Sequence, residues 1–198
     1  MSFDLFVFAP ALPDDVSARW QQELALTGLM CEFPPGFDAR SWPGGMVPIK
    51  LELALQSLPM EERHASKPLL AAFGLYVRDF TEALKESKEP DVVSRLRGAR
   101  KEIFFTTAAK RTIADLRVQW FAASTLTASC DGVLFDPQRP QYVVGRQAIA
   151  HASSETASSK FEERLGEIPA FPGWDKIAEQ QKLLEERIKK RRERKGHS

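Results

Sequence analysis

Cysteine is almost missing from this chain of 198 residues: only Cys31 and Cys130 occur, about a hundred positions apart. Neither has a close-spaced partner, so the spacing excludes a thiolate zinc site and a disulfide framework, and a reducing cytoplasm is the expected compartment. Histidine is as scarce, with three residues of which one is His197, and a histidine-rich metal centre is excluded on that count. No metal and no cofactor is therefore expected. Long apolar runs are also lacking, and none approaches the roughly 20 residues of a membrane-spanning helix. The opening Met1-Ser2-Phe3-Asp4-Leu5 has no basic flank and an early acid, which is not the pattern of a signal peptide. Neither a phosphate-binding glycine loop, a nucleophile elbow nor a dinucleotide fingerprint occurs.

Net charge is nearly nil, +1, but its placement is uneven. Arg187 to Ser198 holds seven bases and one acid, so this tail carries +6 and the 186 residues before it carry −5. A mildly acidic body lacks the basic face that phosphate contacts require, which leaves nucleic acid open only to the tail. A solvated helix end, with cations suited to the C-terminal dipole, is the plainer reading of that tail. Hydrophobic content of 43% with 28% charged residues is ordinary for a folded protein, and the length supports one core of about 150 residues with appendages.

Periodicity is clearest from Lys101 to Val144. Ile103 to Thr107 is a β-prone run, Thr107 or Thr112 can start a helix, and Cys130-Asp131-Gly132 stops it before Val133-Leu134-Phe135 opens another strand. Within that helix Ile113, Leu116, Trp120, Ala123 and Thr127 recur at spacings of three and four, the stripe that packs a helix on a sheet. Asp136 to Pro140 turns the chain into Gln141 to Val144, so the last two strands are expected to form a hairpin. Gly145 to Ala152 reads as helical.

The first half follows a similar plan. Phe3 to Phe8 reads as a strand, then Val16, Trp20, Leu24 and Thr27 share a helical face that Gly28 caps. Leu29 to Phe33 is a short strand, and Pro34 to Gly45 a Pro/Gly loop. Val47, Ile49, Leu51, Leu53 and Leu55 alternate with more polar residues, which is the period of a strand with one buried face. Met60 to His64 is charged; Phe73, Leu75 and Val77 give a fourth strand, Asp79 with Glu82 a capping box, and Pro90 to Gly98 a helical turn.

Two β-α-β-β units of this kind make an α+β fold: one mostly antiparallel sheet with two long helices on one face. The expected organisation is a single domain over residues 1–152, a linker over 153–174 that contains Ser153 to Ser159 and a Pro/aromatic segment, and a charged helix over 175–198. In that helix Glu185/Lys189 and Glu186/Lys190 are placed for supporting ion pairs.

Candidate chemistry is thin. Cys130 beside Asp131, with His151 downstream as base, is the one conceivable catalytic set, against the blander expectation of a buried helix-end cysteine and a surface histidine. Asp131 and Asp136 flank one strand, which leaves a metal site or a shared proton open, but they belong to Asp-Gly and Asp-Pro turn dipeptides and turn formation is the expected role. For binding, the candidates are Phe37 and Trp42 in the first Pro/Gly loop and Phe171 and Trp174 in the later one, aromatics that either anchor a partner or cap the core ends.

The strand, long helix and DGVLFDPQ run between Lys101 and Val144 resembles uncharacterised bacterial proteins of the toxin-immunity kind. The resemblance implies a cytoplasmic α+β domain that neutralises a cognate toxin by direct binding, and it carries over no functional residue. A non-catalytic partner of another protein, with no membrane role, is the expected function; a small enzyme using Cys130, Asp131 and His151, or nucleic-acid binding through the tail, are the alternatives.

Overall fold

Alternating burial along each β-prone run decides which way its side chains point, and that alternation builds a sheet with two different faces. A computed structural model describes residues 3–52, 68–80, 87–107, 112–157 and 168–195. Its strands are β1 (Phe3–Ala9), β2 (Cys31–Glu32), β3 (Gly45–Leu51), β4 (Leu69–Asp79), β5 (Lys101–Thr107), β6 (Val133–Asp136) and β7 (Gln141–Val144). Its helices are α1 (Val16–Leu26), α2 (Pro90–Gly98), α3 (Ile113–Ser129), α4 (Gln147–Ala157) and α5 (Trp174–Lys195). The strands pair antiparallel throughout in the order β2-β3-β4-β5-β1-β6-β7, so the class is α+β. β1 and β5 lie side by side at the centre, and the expected β6–β7 hairpin forms. Since β1 lies between β5 and β6 and opposes both, the crossover through α3 joins two parallel strands across an inserted third.

On one face, Leu5 and Val7 of β1, Phe73 and Leu75 of β4, and Ile103 and Phe105 of β5 meet Trp20 of α1 and Trp120 of α3, all fully buried. Trp20 Nε1 donates to the carbonyl of Ala122 at 2.8 Å, which ties α1 to α3. The stripe read from the sequence is only part of what α3 buries. Val118, Ala122, Ser124 and Leu126 are buried as well. A helix with apolar or small residues all round is a core helix, and α3 is one because α1 and α4 both pack against it.

Thr112, not Thr107, starts α3. Its hydroxyl accepts from the Asp115 amide at 3.1 Å, and Asp115 Oδ2 accepts from the Thr112 amide at 2.7 Å, the reciprocal cap that satisfies two otherwise orphaned donors. Asp115 Oδ1 also accepts from the Ala72 amide at 2.7 Å, so the same cap closes part of the projecting start of β4. The Leu70 amide donates to Pro169 O, and the Phe171 amide to Pro68 O, both at 2.8 Å. The Pro/aromatic segment is thereby strapped to β4.

Several boundaries differ from the reading of the sequence. The strand expected from Val47 to Leu55 ends at Leu51, and residues 53–55 lie outside the described residues, as do Met60 to His64 and Glu82 of the expected capping box. The Ser-rich stretch read as a linker is helical through Ala157, as the end of α4. Its polarity misled because Ser153 and Thr156 donate their hydroxyls to the carbonyls of Ile149 and Ala152. Glu155, buried, pairs with Arg139. α5 forms as an unbroken helix, but among the described ion pairs none joins Glu185 to Lys189 or Glu186 to Lys190. Exposed pairs of that kind gain so little that their side chains stay solvated. Among the described residues no helix is long and apolar enough to cross a membrane.

Candidate functional site

The second face of the sheet is covered only in part. Val92 and Leu96 of α2 pack on Phe8 and Val133 in a small core of their own, and among the described residues no other helix lies on this side. Next to that core, register aligns five aromatic side chains across five strands. Phe104 sits opposite Tyr76 and Phe6, Phe6 opposite Phe135, and Phe135 opposite Tyr142. Ring centroids along the row Tyr76–Phe104–Phe6–Phe135–Tyr142 are 6.0, 5.0, 6.3 and 4.6 Å apart. That is contact distance for aromatic pairs.

Cross-strand aromatic pairs stabilise a sheet, yet this row is not sealed. Phe6, Phe104, Phe135 and Tyr142 are partly exposed, Tyr76 is 46% exposed, and Met46 at the same edge is 48% exposed. Gly44, at φ +88°, admits the Tyr76 ring: a Cβ there would stand 2.9 Å from the ring's Cδ1. Carboxylates flank the row on both sides. Asp4 accepts from the Thr106 hydroxyl at 2.6 Å, and the nearly buried Glu102 accepts from Arg78 at 2.6 Å. At the β7 end the row runs into an open pocket of about 390 Å³ lined by Ser87, Lys88, Glu89, Phe135, Pro140, Gln141 and Tyr142.

The aromatics singled out from the sequence sit elsewhere. Phe37 stacks on Phe33 at 4.5 Å and meets Trp20 and Trp42 at 6.0 and 5.3 Å, so the first loop folds its rings over the end of the main core. Phe171 and Trp174 meet edge to face at 4.8 Å where α5 begins, both partly exposed. These two pairs do not come together with the row on the sheet.

The catalytic set is not assembled. Cys130 is the C-cap of α3, 6% exposed, and burial pushes its thiol up to about 12. Asp131 turns away at φ +50° and pairs with Arg95 of α2. The His151 ring lies edge-on to Trp120 at 5.4 Å, and Trp120 precedes Cys130 by ten residues, roughly 15 Å of helix. A nucleophile and its base must be within hydrogen-bond reach, and these two are not.

His151 does belong to a different polar group, one that the sequence did not suggest. Asp136, 3% exposed at the end of β6, is held above the usual carboxylate range by burial and by nearby Glu155, against amide hydrogen bonds from Gln138 and Arg139 and the proximity of His151. Buried here without a partner are His151 Nε2, Trp120 Nε1 and Gln119 Oε1. Among the described residues no three His, Cys, Asp or Glu side chains converge as a metal-holding group.

A signal for the aromatic row was present in the sequence. Leu5 to Ala9, Ile103 to Phe105 and Val133 to Phe135 are continuous apolar runs rather than alternating ones, the pattern of strands apolar on both faces. No family model, no curated protein and no solved structure matches this chain.

Proposed function

We propose that this chain works by holding another macromolecule, and that its contact surface is the aromatic row on the second sheet face. The observation that carries the reading is the row itself: five rings in register, partly open to solvent, on a face that α2 covers at one side only. Partly exposed aromatics fixed on a rigid sheet supply large contact area at little conformational cost, and such residues dominate binding energies. A partner protein fits best, a toxin neutralised by stoichiometric binding being the particular case that the Lys101–Val144 resemblance supports. The −5 charge of residues 1–186, with Asp4 beside the row, favours a basic partner surface. Catalysis has less support, since Cys130 and His151 are held apart.

The test is capture of partners from the native host with the full chain, then co-expression with the product of the neighbouring gene. A stoichiometric complex that Tyr76→Ala and Phe104→Ala weaken supports the reading. A chain that forms no complex, and whose turnover on some substrate is abolished by Cys130→Ala or His151→Ala, contradicts it.

A further inference from the structure

Among the described residues, α5 carries a concentration of charge that lies away from the sheet. Every residue from Ala178 to Arg191 is exposed, and Ile177 is the last buried one, so no side of the helix beyond it rests on the body. At 1.5 Å per residue, the stretch from Arg187 to Lys195 begins roughly 15 Å past Ile177 and ends roughly 27 Å past it. The Debye length in physiological salt is about 8 Å. The −3 charge of residues 1–174 is thus screened at the tip, while Glu185 and Glu186 lie on α5 within a turn of the tail and offset part of its +6.

Arg187, Lys189, Lys190 and Arg191 take part in none of the described ion pairs. The helix dipole accounts for cations only in the last turn, and these four lie before it. The spacing of Arg187 and Arg191 is also unfavourable to the helix itself, although Lys189 and Lys190 each have a glutamate four residues before them. Arg187 with Arg191, and Arg191 with Lys195, are like charges at i,i+4, which destabilise a helix. Taken in steps of 100°, the four cations fall on several sides of the axis, and Ile188 is the only apolar residue among them. A helix that lies on a membrane needs a broad apolar face opposite its cations, and this stretch has none. A helix inserted between two phosphate strands needs cations on both flanks, and the major groove of duplex DNA is wide enough to admit one.

We infer that the tip of α5 is a nucleic-acid arm, which grips the two phosphate backbones of duplex DNA without reading bases. Phosphates supply counter-charges and relieve the repulsion between neighbouring cations. The interaction is independent of the aromatic row.

Fluorescence anisotropy of a labelled 20-base-pair duplex, titrated with the full chain over a series of salt concentrations, tests this. The expected dissociation constant near physiological salt is in the weak range of roughly 10⁻⁴ to 10⁻⁶ M, with log K falling against log salt at a slope of about −4 to −6. Lys189→Gln, Lys190→Gln and Arg191→Gln combined, on exposed positions, should leave the thermal transition unchanged and flatten that slope by about 2 to 3. Tyr76→Ala should leave it unaltered. Absence of binding at 50 mM salt overturns the inference, as does a slope that the triple variant does not change. Tighter binding to phosphatidylserine vesicles than to the duplex would overturn it in favour of a membrane arm.

Discussion

Replacing Trp20 and Trp120 by Phe, one at a time, separates ring burial from hydrogen bonding within a single core. Both indoles are fully buried. Trp20 Nε1 donates to Ala122 O at 2.8 Å, whereas Trp120 Nε1 is buried with no acceptor. Each change removes a similar volume, worth roughly 1 kcal/mol at the usual cost of a small cavity. Trp20→Phe additionally loses a buried hydrogen bond, about 1 kcal/mol, for a total near 2. Trp120→Phe instead removes an unsatisfied buried donor whose desolvation costs about 1 to 3 kcal/mol in the folded state, so its net effect falls near zero or becomes stabilising. Truncation to Ala should cost about 3 to 5 kcal/mol at either site, because four rings surround Trp20, at 4.9 to 6.2 Å, while Phe3 and His151 flank Trp120 at 5.7 and 5.4 Å. Urea denaturation at constant m value measures all four variants. Equal costs for the two Phe variants, or a larger one at Trp120, would refute the hydrogen-bond assignment.

Other consequences can be checked with the same protein. Asp136 has a folded pKa above its unfolded one because of burial, so the stability it contributes is present below the ordinary carboxylate pKa and is lost as pH rises through the raised folded value. Asp136→Asn should therefore gain on the parent protein in urea midpoints as pH rises above the ordinary carboxylate pKa, and a difference that stays constant with pH would show that the shift is absent. Gly132→Ala should cost about 1 to 3 kcal/mol, since a Cβ there would stand 2.6 Å from the Phe8 carbonyl oxygen; an unchanged melting temperature would place that strand entry differently. Burial raises Cys130 to about 12, so this thiol should resist alkylation at pH 7 until denaturant is added, and fast native labelling of Cys130 would contradict its place at the end of α3.

Elements were readable in the sequence wherever one periodicity acted alone. The stripe around Trp120, the alternation after Val47 and the turn at Asp136-Pro137 each led to the element that forms. What escaped were features that depend on two elements at once. α4 was shortened because Ser153 and Thr156 look like linker residues until their hydroxyls are seen bonded to the preceding turn. Phe6, Phe104 and Phe135 read in the sequence as parts of ordinary strands, since only register across β1, β5 and β6 turns three scattered phenylalanines into a row. For Phe37 and Trp42 the sequence left anchoring a partner and capping the core end both open, and the loop folds back over Trp20 and Phe33 as a cap.

The binding account is tested most directly by comparing the affinity of the full chain for its co-expressed partner with that of the Tyr76→Ala, Phe104→Ala variant, by calorimetry, after circular dichroism has shown both to be folded. Loss of two adjacent aromatic contacts of the row should weaken binding by about 30-fold to 1000-fold, the effect of removing 2 to 4 kcal/mol. An affinity that does not change, in a variant that remains folded, would contradict the assignment of the contact surface to the aromatic row.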